Sequence, residues 1–82
     1  MHPEAAGRTS PLDPVTREAI ALAVSATNGC AYCINSHTAA LRKLGMSAET
    51  VGEVLAIVGL FNTTNTLADA YQVEPDVLPP LD

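Results

Sequence analysis

Apolar residues in this chain recur at helical spacing in three stretches, separated by short clusters of helix-stopping residues. Asp13-Pro14 reads as a capping side chain followed by proline at the first helical position, and Ser10-Pro11 has the same form. The first helix is therefore predicted over about 14–27, closed by Asn28-Gly29, a pair suited to a left-handed turn. A second is predicted from about 30 or 31 to 44, with Arg42 and Lys43 at its negative end and Gly45 stopping it. Ser47 caps a third, over about 48–70, with Glu49 in its first turn and a bend expected near Gly59. Val54 to Phe61 has the composition of a buried strand, but the helical sequence on both sides decides against it. Met1–Leu12 lacks apolar periodicity, and Gln72–Asp82 contains three prolines, so both are expected to be extended arms. The expected architecture is all-α: a single domain over 1–82, built as a small bundle of three main helices.

The apolar positions also bear on assembly. Val54, Leu55, Ile57, Val58, Leu60 and Phe61 point in every direction around the third helix, as Ile20, Leu22 and Val24 do around the first. A helix that is apolar all round must be enclosed, and two partner helices in so short a chain cannot enclose both. At 82 residues, folding buries only about 60% of the unfolded surface. A closed homo-oligomer is expected, with large apolar interfaces around Leu55, Leu60 and Phe61.

Charge and composition narrow the partners. The formal charge of -5, with only four Lys and Arg, argues against nucleic acid and anionic membrane surfaces. No apolar run approaches the roughly 18 residues of a membrane span, and no signal-peptide order opens the chain, so a cytoplasmic location is expected. The only two cysteines stand three apart, which excludes a disulfide framework spanning the fold and suits redox or metal chemistry in a reducing compartment.

Those cysteines belong to a constellation, Glu18 … Cys30-Ala31-Tyr32-Cys33 … His37. If residues 30–44 are helical, Cys30, Cys33 and His37 fall within an arc of roughly 60°. The rest of that stripe, Ile34, Ala40, Leu41 and Leu44, is apolar. Glu18 shares a face of the first helix with Val15, Leu22 and Ser25, where an acid needs a partner. Arg17 or Arg42 could supply it, but so could His37. In a hairpin closed by Asn28-Gly29, Glu18 meets His37 partway along the second helix, so a hydrogen bond between them, direct or through one water, is expected.

Three chemistries fit these groups. A helix N-terminus and a nearby imidazole both favour the thiolate, which attacks a peroxide to give a sulfenic acid that the second thiol converts to a disulfide. Two cysteines, a histidine and a glutamate could also hold zinc, although structural zinc sites usually gather ligand pairs from separate segments. The cysteines could instead simply pack as small apolar residues. Haem attachment is excluded, because Ile34 stands where C-x-x-C-H needs histidine, and a thioredoxin fold lacks its βαβ setting. Proximity to the helix start favours Cys30 as the reactive thiol, whereas the turn separating Cys33 from His37 favours Cys33.

The stretch from Arg17 to Ala70 resembles the alkyl hydroperoxidase D (AhpD-like) branch of the carboxymuconolactone decarboxylase superfamily. The resemblance lies in R-E-A-I-A-L-A-V-S, in N-G-C-A-Y-C-I-N-S-H-T and in the third helix ending L-A-D-A-Y. It implies an all-α fold assembling as a trimer or hexamer, the latter a trimer of dimers. It implies a thiol-dependent peroxidase that reduces hydroperoxides and is re-reduced by a dithiol donor, a lipoyl carrier or a thioredoxin-like protein, with no resident cofactor or metal. Cys33 would carry the sulfenic intermediate, Cys30 would give up a proton and resolve it, and His37 and Glu18 would relay protons. Two departures stand out: Tyr32 occupies a place where the family's best-known peroxidase has a second histidine, and the helices usual before the motif are missing. The namesake decarboxylase chemistry does not call for a cysteine pair and ranks low. A non-catalytic module with structural or zinc-binding cysteines is the alternative from another class.

Overall fold

A computed structural model describes residues 11–80. It contains α1 (Pro14–Asn28), α2 (Ala31–Lys43) and α3 (Ala48–Ala70), and no strand among the described residues. The helix order and type match the expectation, with ends displaced by a residue. The expected arm over Met1–Leu12 lies almost wholly outside the described residues, and the last two residues of the tail do as well.

Local chemistry accounts for each boundary. Asp13 caps α1 by accepting a 2.7 Å hydrogen bond from the Thr16 backbone N–H, which holds its carboxyl below the ordinary value. Gly29 follows α1 at φ 73°, its N–H reaching the Ala26 carbonyl while the Cys30 N–H reaches that of Ser25. The same pair of bonds ends α2, where Gly45 sits at φ 102° and Gly45 and Met46 donate to Arg42 and Leu41. Arg42 adds a 3.0 Å bond from Nη1 to the Met46 carbonyl. Ser47 caps α3 through the Thr50 backbone N–H, and α3 continues unbroken through Gly59. It too closes with this pattern, although Gln72, at φ 57°, takes the place a glycine would fill more cheaply.

The two-residue link Gly29-Cys30 folds α2 back along α1. Leu22 and Leu41 are fully buried and Val51 nearly so, with Val15, Ala19, Ile34, Met46 and Val54 packed around them. Val51 near Leu22, and Asn62 bonded to Thr27 at 3.1 Å, show that α3 runs in the same direction as α1. Because α3 is eight residues longer (23 against 15), its second half projects past the end of α1. Leu60, Phe61 and Leu67 are each more than half exposed there, and Ile20 and Val24 are similarly open on the outer face of α1. The core therefore sits at one end of α3, directly behind the hairpin that carries the cysteines.

Candidate functional site

Cys30 is not the first helical residue but the cap of α2. Its backbone is extended (φ -90°, ψ 99°), its carbonyl accepts from Ile34 N–H at 2.9 Å, and its sulfur accepts from Cys33 N–H at 3.2 Å. The place taken by an oxygen of Asp13 in α1 and of Ser47 in α3 is taken here by the Cys30 sulfur. Cys30 thus stands at the cap rather than within the helix, and the capping bond and the disulfide bring its sulfur to the first turn, beside Cys33. Cys30 and Cys33 are joined by a disulfide across a Cα–Cα distance of 5.3 Å.

One turn beyond Cys33, His37 Nδ1 lies 2.7 Å from Glu18 Oε1, and both side chains are about 30% exposed. The expected contact is thus present and direct. A carboxylate can only accept, so Nδ1 is the donor, which leaves the Nε2 lone pair of a neutral ring available. The competing arginines go elsewhere. Arg42 is engaged with Met46, and the buried Nε of Arg17 has no hydrogen-bond partner. Tyr32 is 83% exposed and faces solvent beside the disulfide.

Ser25 is the residue that sequence reasoning placed on the right face without seeing its part. It is buried, its hydroxyl donates to the Ala21 carbonyl at 2.7 Å, and its own carbonyl holds the Cys30 N–H. The one signal for this anchor is the Asn28-Gly29 pair, which announces the turn that creates it. No cluster of three metal-binding side chains occurs among the described residues, and the oxidised cysteines offer no thiolate to a metal.

Comparison with known proteins adds the family. The family model described as "Carboxymuconolactone decarboxylase family" matches residues 2–73. The chain is 44% identical over 64 residues to alkyl hydroperoxide reductase AhpD of Solibacter usitatus, covering 78% of this chain and 34% of that protein. It is 39% identical over 62 residues to the protein of that name from Streptomyces avermitilis, covering 76% and 35%. The crystal structure of the alkylhydroperoxidase AhpD core from Rhodospirillum rubrum superposes with a TM-score of 0.80 at 47% identity, over 90% of this chain and 57% of that one. The chain spans about a third of the length of the curated relatives it matches. With an all-α hairpin carrying C-x-x-C and this match over nearly its whole length, the chain belongs to the carboxymuconolactone decarboxylase family, in its AhpD-like branch.

Proposed function

We propose that this chain is a thiol-dependent peroxidase that reduces hydroperoxides through Cys33 and Cys30 and is recharged by a dithiol donor. The observation that carries the reading is the 2.7 Å Glu18–His37 bond, which sets an imidazole one helical turn from Cys33 of a disulfide-forming pair. The names of the relatives, alkyl hydroperoxide reductases, point to the same substrate class.

The steps follow from the roles. The Cys33 thiolate attacks one peroxide oxygen, forming S–O as O–O breaks, and the departing alkoxide leaves as alcohol with a proton passed along Glu18 and His37. Cys30, held by the Cys33 N–H, gives its proton to the His37 imidazole and, as thiolate, displaces hydroxide from the sulfenic sulfur; the S–S bond forms as S–O breaks, and the hydroxide takes that proton back and leaves as water. A donor dithiol, lipoyl or thioredoxin-like, reopens that bond by two exchanges and becomes a disulfide itself. A reducing compartment such as the cytoplasm keeps such a donor charged.

The working form is a homo-oligomer, a hexamer or a trimer. One fact supports it: the open apolar side chains of α1 and α3. Sedimentation at low micromolar concentration tests this part, and a folded monomer would refute it.

Peroxide consumption with reduced lipoyl, glutathione and thioredoxin donors tests the chemistry. Cys33→Ser should abolish turnover, and Cys30→Ser should leave a sulfenic acid visible by mass. A folded protein that consumes no peroxide with any donor would end the redox reading, and one bound zinc per reduced chain would replace it with the metal-binding alternative.

A further inference from the structure

The outer face of α2 is built from small and polar residues, Ala31, Asn35, Ser36 and Ala39, all exposed. Tyr32 is the one large apolar side chain that α2 shows to solvent, and it stands between the two cysteines in sequence. On the helix, Tyr32 lies about 100° to one side of Cys33, whereas His37 lies about 40° to the other. Ile34, which packs on the core, is about 160° round from Tyr32, so the ring is turned away from α3. The disulfide is therefore flanked by two unlike groups, an imidazole bonded to a carboxylate on the α1 side and an open aromatic ring on the solvent side.

Charge sets this surface apart. No Asp, Glu, Lys or Arg occurs from Ala19 to Leu41, the stretch that forms the hairpin around the disulfide, although the whole chain carries -5. An anionic thiol finds no cation there to steer or hold it. What the surface offers is a polarizable ring face, which suits an aliphatic chain or a sulfur. A peroxide needs only the reacting thiol and the groups that move its protons. The reductant is the larger partner, and it must bring a sulfur up to the S–S bond from solvent. We infer that Tyr32 is the docking residue for that reductant: it holds the aliphatic tail of an uncharged dithiol while the sulfurs exchange on the side away from His37. The inference rests on the redox reading above and adds the residue, the side of approach and the charge of the donor. The donor's first thiolate attacks one sulfur of the pair and frees the other as thiolate; its second then displaces the sulfur still bound. The donor leaves as a disulfide, two electrons poorer, and its two protons pass to Cys30 and Cys33.

Reading each half of the cycle separately tests this. Oxidised protein is mixed with dihydrolipoamide, an uncharged aliphatic dithiol, or with dithiothreitol, which has no tail to lie on the ring, and opened disulfide is measured by thiol capture and mass. Protein reduced beforehand and freed of donor is mixed with cumene hydroperoxide, and disulfide formation is followed in the same way. Tyr32→Ala should slow reduction by dihydrolipoamide about tenfold and leave the dithiothreitol and peroxide rates as they are. Tyr32→Phe should keep all three rates. Tyr32→Lys should shift preference from dihydrolipoamide toward its anionic acid, dihydrolipoate. An undiminished dihydrolipoamide rate in Tyr32→Ala overturns the inference, as does an unchanged preference in Tyr32→Lys. An equal loss with dithiothreitol also overturns it, because the ring would then be acting on the cysteine pair itself. Protein that forms no disulfide with peroxide defeats the peroxidase reading instead, and the donor rates still decide the role of Tyr32.

Discussion

Among the described residues, Leu22 and Leu41 are the two side chains wholly withdrawn from solvent, and each lies one helical turn from a member of the Glu18–His37 pair. Leu22 follows Glu18 by four residues and Leu41 follows His37 by four, so the buried contact between α1 and α2 fixes the polar one beside it. Leu41→Ala should cost about 2–5 kcal/mol, most of what so small a domain has, and loosen the imidazole. Denaturant titration measures the first effect, and histidine ring resonances measure the second. A stable variant with an unmoved ring would separate core from site.

Glu18→Gln keeps the shape and removes the negative charge that His37 faces. If the pair relays protons, peroxide turnover should fall about 100-fold or more, with the fold intact. Stopped-flow peroxide consumption at several pH values checks this. A full rate across the range would leave Glu18 a structural role only.

Cys30 has two duties that substitution can separate. Under reducing conditions, Cys30→Ser retains a capping oxygen for the Cys33 N–H, whereas Cys30→Ala removes it. The alanine variant should be less stable than the serine variant by about 1 kcal/mol, and neither should form the disulfide. Thermal melts of the two reduced variants give the comparison, and equal stability would show that a capping acceptor at position 30 contributes nothing.

At Gly29, a Cβ would meet no atom within 4 Å, so substitution probes the backbone alone. With φ at 73°, Gly29→Ala should destabilise by about 1–2 kcal/mol. Gly29→Asn should cost less, because asparagine tolerates this region. Chemical denaturation of both variants tests the order, and equal costs would refute it.

Asp13 supplies a pH dependence whose sign is fixed by its cap. The Thr16 N–H favours the charged carboxylate and draws its pKa below the ordinary value of 3.8. That contribution is present above the ordinary value and is lost as pH falls through the lower, folded one. Asp13→Asn caps without charge, so the difference in melting temperature between wild type and variant should be steady near neutrality and shrink in acid. A difference that grows in acid would contradict it.

Much of this was legible in the residues because the signals are local. Asp13-Pro14, Asn28-Gly29, Lys43 to Gly45 and Ser47 bracket the helices by capping chemistry that needs no tertiary context. The Glu18–His37 contact was also readable, since a two-residue link leaves α2 nowhere to go but back along α1. Cys30 as a cap was not, because sulfur is a weak acceptor and cysteine is not a usual capping residue. Asn65, Thr66 and Asp69 carry no such local signal: only the unequal lengths of α1 and α3 show that no helix among the described residues lies opposite them.

The hairpin has a kinetic consequence as well. Glu18, Cys30, Cys33 and His37 all fall inside twenty consecutive residues, and the longest separation among them is 19. Closing so short a loop is entropically cheap, and contacts of this order form early in small helical proteins. The contacts of the constellation are therefore the entropically cheap part of the fold, whereas the packing of Val51 and Val54 of α3 against Leu22 and Leu41 closes longer loops and completes the core behind them.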